Sequence, residues 1–392
     1  NGIEKVLSID FPNSLGMLYS TVTSYLGFKP NEGEYKVMGL APYGNASKYF
    51  DKLDKIFCHS DNKFWIDQRY FTWEYSERIM FNKKFCKLLG LPPRLPEDEL
   101  TQDHKDLAAA LQKIYEREFV RLVKRAKLMT REVNLCLGGG CAYNGVANSL
   151  AYDHFDSIHI PFAPSDAGSA IGACLYQYRG ERQDNSSPYL GPEYTNFIVQ
   201  STLHGYEDKV QWFKLTEEKL IKKTAELLRG QNIIAWFQGR MEFGARALGN
   251  RSILASPKDP KMREKLNYVI KKREGFRPFA PSVTEEQADR WFYVQENIPY
   301  MNQVVNAKVR DLEAATHVDG SCRVHTVTKK QNPRYHALIT ELGRIDEKAV
   351  VLNTSFNLKD QTITMTPKQA IERFINSEIN YLVINNFLIR KI

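Results

Sequence analysis

A chain of 392 residues with 43% hydrophobic and 26% charged residues is long enough for two domains with real cores. Its 54 basic against 46 acidic residues leave a net charge of +8 and a pI near 9.0, and the absence of basic blocks favours small polyanions over nucleic acid as partners. No apolar run reaches the roughly 18 residues that span a bilayer, and six cysteines without a C-x-x-C pair suit free thiols in a reducing cytoplasm rather than a disulfide framework or zinc site.

The chain opens on Asn1 rather than Met, and residues 3–9 read as part of a strand, so further sequence upstream is expected. Leu15, Leu18, Val22 and Leu26 recur at helical spacing after two cap candidates, Asn13 and Ser14. Glu32, Glu34 and Lys36 follow in a turn-rich segment. Residues 50–100 are aromatic, irregular and punctuated by Pro92, Pro93 and Pro96, which suggests an insertion or lid. From 103 to 128 the spacing of Leu107, Ala110, Leu111, Ile114, Phe119, Leu122 and Val123 predicts a long amphipathic helix.

A short buried strand is predicted at 133–137, then the turn Gly138, Gly139, Gly140, then a small-residue helix through Asn144 and Asn148. Strand, glycine turn and helix can set backbone N–H groups against a phosphate or an adenosine. Tight strand-to-helix packing leaves the same signature. A second unit of this kind follows, with a strand at 158–160 and PSDAGSAIGA at 164–173. Asp166, where its helix begins, suits a cap, a metal ligand or a partner for a ribose hydroxyl.

Periodicity fades from 179 to about 207, the best candidate for a linker (181–214). After a charged amphipathic helix at 217–228 and a buried strand at 233–237 comes GRMEFGARALGNRSILASP at 239–257. Three arginines, Arg240, Arg246 and Arg251, alternate there with Gly239, Gly244 and Gly249. Guanidinium forks match phosphate oxygens, and glycine lets the backbone come close. A surface turn with solvated arginines would read the same way. A helix at 261–272 runs into KKREGFRPFAPS, and VVLNTSFN at 350–357 reads as a strand ending in a hydroxyl- and amide-rich turn.

Taken in order, EYKVMGLAPYG, LCLGGGCAYN, SDAGSAIGA, the arginine stretch, REGFRPFAPSV, HVDGSCRVHTV and VLNTSFN cover nearly the whole chain. Together they resemble the ATP-dependent O-carbamoyltransferases that decorate nodulation factors and antibiotics. The resemblance implies an α/β and α+β fold: part of an actin-like ATPase lobe (1–180), then a YrdC-like lobe (215–392). It implies that the second lobe makes carbamoyl-adenylate from carbamoyl phosphate and ATP with Mg²⁺. The first lobe would then pass the carbamoyl group to a hydroxyl of a small-molecule acceptor. The YrdC-like signature K-x-R and S-x-N is met by Lys271–Lys272–Arg273 and Ser355–Phe356–Asn357. With Arg277 and Arg323 these residues, Lys271, Arg273, Ser355 and Asn357, become the candidate catalytic set. Gly138, Gly139, Gly140, Asn144, Glu34, Lys36, Arg246 and Arg251 become the candidate nucleotide-binding set, and Asp166 the candidate metal ligand.

Two departures stand out. The family's GPRALG reads GARALG here, with Ala245 for proline, which loosens a turn and deletes no donor. The family's His-x-x-x-His iron pair has no counterpart, because the eight histidines never fall at that spacing. Iron is therefore expected only if residues upstream supply the pair. Two readings stay open: a cytoplasmic O-carbamoyltransferase acting on a sugar or natural-product acceptor, in which a homodimer is allowed, and a nucleotide-binding or regulatory fragment keeping only the adenylate-forming lobe.

Overall fold

The computed structural model describes residues 3–60, 63–76, 79–178 and 187–392. They pack as two compact units, Asn1–Ile160 and Pro161–Ile392.

The first unit is built on helices. Residues 3–10, expected as a strand, carry no regular structure and are largely exposed. Among the described residues no strand pairs with them. Helix α1 (Leu15–Tyr25) starts where Ser14 accepts the N–H of Met17. Then come α2 (Glu34–Leu40), α3 (Ser47–Asp54), the hairpin of β1 (Phe57–His59) and β2 (Phe64–Ile66), and α4 (Lys83–Leu89). The spine is α5 (Gln102–Thr130), opened by a capping box between Thr101 and His104. Its apolar stripe, Leu107, Leu111, Ile114 and Val123, is buried, and α1, α2 and α3 pack along it. Beyond it, β3 (Asn134–Cys136) pairs in parallel with β4 (Ser157–His159), with α6 (Gly145–Leu150) between them.

The second unit is a mixed sheet with helices on both faces. It begins with α7 (Ala167–Gln177). Residues 179–186, part of the expected linker, lie outside the described residues. The remainder of that segment carries α8 (Asn196–His204) and the edge strand β5 (Val210–Lys214). There follow α9 (Glu217–Arg229), β6 (Ile234–Phe237), β7 (Arg251–Ala255), α10 (Lys261–Glu264), β8 (Ala280–Thr284) and α11 (Ala288–Trp291). The chain continues through β9 (Val305–Asn306), β10 (Ser321–Cys322), β11 (His325–Val327), α12 (Pro333–Ile345), β12 (Val350–Ser355), α13 (Pro367–Ile375), β13 (Tyr381–Ile384) and β14 (Phe387–Lys391). The eight-stranded sheet runs β11-β8-β12-β7-β6-β13-β14-β5.

Central strands read as unbroken apolar runs because both sheet faces are covered. In β6, Ala235 and Phe237 join Ile253, Leu352, Leu382 and Phe374 on one face, beneath α8 and α13. Ile234 and Trp236 join Leu254, Val351, Leu338 and Leu228 on the other, beneath α9 and α12.

Candidate active site

Strand register brings the singled-out segments of the second unit to one end of the sheet. Ser355 at the end of β12 pairs with Ser252 near the start of β7, and Phe237 at the end of β6 pairs with Arg251. Asn353 of β12 pairs with Ala280, the first residue of β8, and β11 starts beside β8 with His325 opposite Ser282. The loops holding Arg246, Arg277, Arg323 and Asn357 therefore all issue from this end.

Lys271 is delivered there by a change of helix pitch. The helix expected over 261–272 is α-helical only through Glu264, and Lys265–Ile270 winds as a π turn. Lys271 N–H bonds the Leu266 carbonyl at 2.8 Å, five residues back. Asn267 explains the break. It is fully buried, its side chain donates to the carbonyls of Gly275 and Arg277, and its own carbonyl accepts Arg273 N–H at 3.0 Å. The wider turn stops the helix and sends Lys271 inward.

Lys271 is 4% exposed. Its ammonium donates to the Ser355 carbonyl, to the Asn357 carbonyl at 3.0 Å and to Asn357 Oδ1 at 2.7 Å. Ser355 Oγ donates to Asn357 Oδ1 at 2.7 Å, fixing the amide's orientation. Burial first, then the charges of Arg273, Arg277 and Arg373, hold this ammonium well below the usual lysine range. Arg273 lies over the Phe279 ring at 4.7 Å and donates to Asn267 Oδ1 at 2.8 Å, and Arg277 pairs with Glu274 at 3.4 Å. Three guanidinium charges acting on one buried lysine are a cationic arrangement of the kind that can seat an anion.

The arginine loop is held otherwise than its sequence suggests. Arg251 is fully buried, and its guanidinium donates to the carbonyls of Gln238, Gly239, Asn250 and Pro192 while its Cζ lies 3.6 Å from the Phe237 ring centroid. Burial pulls its pKa down to about 10, with Glu242 opposing that shift. The side chain therefore binds the loop together in this structure. Arg240 likewise donates to the carbonyls of Leu190 and Gly191, while Arg246 is half-buried. Glu242, the one acid in the stretch, sets the loop's shape: its Oε1 accepts the N–H groups of Leu248, Asn250 and Arg251 at 2.7, 2.8 and 3.2 Å. From below, Asn353 Nδ2 donates to the Ala247 carbonyl at 3.2 Å and to Ser282 Oγ at 3.1 Å, which contacts His325 Nδ1 at 3.0 Å. Burial holds His325 down to about 3, so the ring is neutral. Sequence reading passed over Glu242, Arg373 and this Ser282–His325–Asn353 set. A lone carboxylate among three arginines was the one available signal.

Two further singled-out residues of the second unit are Arg323 and Asp166. Arg323 lies half-buried between β10 and β11. Asp166 occupies the N-cap position of α7 without a capping bond. No group of three His, Cys, Asp or Glu side chains converges among the described residues, so Asp166 does not make an iron site with them.

In the first unit, Gly139 has φ +86°, and a Cβ at Gly139 or Gly140 would meet no described atom within 4 Å. The turn Gly138–Gly140 can thus be approached closely. Asn144 caps α6 at Ala147 N–H and exchanges two hydrogen bonds with Gln112, at 3.1 and 3.2 Å. Glu34 accepts from Ser20 Oγ at 2.6 Å and from the N–H groups of Asn31 and Gly33, Glu32 pairs with Lys29, and Lys36 lies 5.4 Å from the Phe28 ring.

Comparisons with known proteins agree over both units. A family model described as carbamoyltransferase N-terminus matches residues 2–175, and one described as carbamoyltransferase C-terminus matches residues 225–391. The chain is 40% identical to an uncharacterised protein of Synechocystis over 98% of this chain and 68% of that one. It is 34% identical to the nodulation protein NolO of Bradyrhizobium diazoefficiens over 99% of this chain and 71% of that one. With the 3'-hydroxymethylcephem-O-carbamoyltransferase of Amycolatopsis lactamdurans it shares 35% identity over 65% of this chain and 48% of that protein.

Proposed function

The chain belongs to the carbamoyltransferase family and is an enzyme, and from that premise we propose that it activates carbamoyl phosphate with ATP and passes the carbamoyl group to a hydroxyl of a small-molecule acceptor. The atoms balance if water opens carbamoyl phosphate to carbamate and phosphate, and a carbamate oxygen then attacks the α-phosphorus of ATP and expels pyrophosphate. The acceptor hydroxyl next attacks the carbamoyl carbon of the adenylate and releases AMP. The YrdC-like lobe, residues 215–392, would carry the activation. The actin-like part, residues 1–180, would carry transfer, with Gly138–Gly140, Asn144, Glu34 and Lys36 toward the nucleotide and Asp166 on the transfer side.

The observation that supports this reading is the buried Lys271 ammonium, held on Ser355 and Asn357 and surrounded by Arg273, Arg277 and Arg373. Phosphoryl chemistry needs fixed cations where charge gathers. Lys271 and the arginines would bind the phosphates, and Ser355 and Asn357 would orient Lys271 and offer neutral bonds to the carbamoyl amide. Arg246 and Arg323 would complete the cationic wall, and Mg²⁺ would supply further charge neutralisation when ATP is bound. The reading that the chain keeps only an adenylate-forming lobe is not favoured, because both family models match.

Incubation with carbamoyl phosphate and ATP should release pyrophosphate and yield carbamoyl-adenylate by mass spectrometry. Arg277→Ala or Arg323→Ala should remove that activity, since one charge-assisted phosphate contact is worth about 2–5 kcal/mol, roughly thirtyfold to several-thousandfold in rate. Asp166→Ala should keep pyrophosphate release and lose transfer. Synthetic carbamoyl-adenylate should rescue the arginine variants and not Asp166→Ala; the reverse pattern would refute the assignment of steps to lobes.

A further inference from the structure

The turn that carries Ser355 and Asn357 is held from behind. Arg373 of α13 donates from Nη1 to the Thr362 carbonyl at 2.9 Å and to Thr364 Oγ1 at 2.7 Å. Thr364 then donates to the Phe356 carbonyl with both its hydroxyl, at 2.6 Å, and its N–H, at 2.8 Å. Phe356 is fully buried between Ser355 and Asn357, and Asn357 Nδ2 donates to the Gln361 carbonyl at 2.7 Å. The segment 356–364 is thus folded back on itself, and its far end is tied to one half-buried guanidinium. Among the described residues no carboxylate pairs with Arg373. A partly desolvated cation without a counter-ion is costly, and a phosphate oxygen would relieve that cost.

We propose that Arg373 is a positioning residue of the anion site, bracing the Ser355–Asn357 turn against α13 and adding a fixed positive charge behind it. The inference rests on the reading that this site binds carbamoyl phosphate.

The charge of Arg373 reaches Lys271. Facing that ammonium are Arg273 and Arg277 from the segment after the π turn, with Glu274 paired to Arg277, then Arg373 from α13 and the neutral oxygens of Ser355 and Asn357 from the end of β12. Burial and the three guanidinium charges lower the Lys271 pKa, so raising the pH strips its proton early and weakens anion binding. Removing the Arg373 charge raises that pKa and moves the weakening to higher pH. A brace alone would weaken binding equally at every pH.

Calorimetric titration of the whole chain with carbamoyl phosphate, from neutral to alkaline pH, separates the two. Arg373→Gln should bind roughly tenfold more weakly at neutral pH, with its alkaline limb displaced upward. Arg373→Lys should keep the wild-type limb, and Thr364→Val, which loses the two hydroxyl bonds of the tether and keeps the charge, should weaken binding without moving it. The limb should vanish in Lys271→Met. Circular dichroism checks folding, and Arg373→Lys and Thr364→Val keep the test decisive if Arg373→Gln does not fold. Wild-type affinity in Arg373→Gln, or an unmoved limb, overturns the proposal. A wild-type protein that does not bind carbamoyl phosphate overturns the functional reading instead.

Discussion

Glu242 offers the sharpest test of how the arginine loop is held. Its side chain is 5% exposed, and one oxygen accepts three N–H groups of a loop segment that is itself buried. In Glu242→Ala the N–H groups of Leu248, Asn250 and Arg251 lose their acceptor, at about 1–3 kcal/mol for each buried donor left unmade. Arg251 also loses the carboxylate that opposes the effect of its burial. Allowing for relaxation of the loop, the loss should total on the order of 3–6 kcal/mol. For a unit of this size each kcal/mol lowers the unfolding midpoint by about 2–4 °C, so the alanine variant should melt lower by roughly 6–24 °C. Glu242→Gln is the informative partner. It keeps an oxygen at the Oε1 position, and Oε2, which has no hydrogen-bond partner, can become an amide nitrogen without breaking a bond. Only the charge beside Arg251 is lost, so this variant should cost about 1–2 kcal/mol. Thermal unfolding followed by circular dichroism reads both. Equal shifts in the two variants, or an alanine shift of only about 2 °C, would refute the view that Glu242 shapes the loop.

His325, with its pKa held down to about 3 by burial, should contribute to acid unfolding. Above pH ~6.5 the ring is neutral in both states; as the pH falls from there toward 3, the unfolded ring takes a proton that the folded one refuses, and stability drains away. His325→Gln should move the acid-unfolding midpoint to lower pH, and an unmoved midpoint would count against the argument. Gly249→Ala should be far more damaging than Gly139→Ala, although both glycines have positive φ, +96° and +86°. A Cβ at Gly249 would come 2.2 Å from Tyr335 Cδ1, whereas one at Gly139 meets nothing within 4 Å. The first should cost at least ~3 kcal/mol and the second about 1–2, the backbone strain alone, as chemical denaturation can measure.

Much of the long-range arrangement could be read in the sequence, and for a specific reason. Lys271 and Ser355 are 84 residues apart, and periodicity cannot join them; the paired K-x-R and S-x-N signatures could. Helix α5 was legible because its stripe is long and regular. The π turn was not, since Leu266, Asn267 and Ile270 also suit an α-helix and the break depends on where the Asn267 side chain finds carbonyls. The burial of Arg251 was hidden for a related reason: an arginine in a glycine-rich loop looks like an exposed donor until the carbonyls of Gln238, Gly239, Asn250 and Pro192 close around it. Arg373 gave no sign at all, because a basic residue in the last turn of a helix already has an ordinary explanation in the helix dipole.

The order of strands in the sheet bears on how the second unit comes into being. Strand β5, the first of the unit in sequence, has β14 as its sheet neighbour, and β6 is joined to β14 only through β13. Early and late segments must therefore meet before the sheet can close. Such long-range closures carry the full entropic cost of the intervening chain and slow the approach to the native state. A growing polypeptide leaving the ribosome would hold β5 and β6 without their later neighbours until β13 and β14 appear. During that interval the edges of apolar strands stand open, and the nascent chain is at its most prone to stick to others or to engage a chaperone.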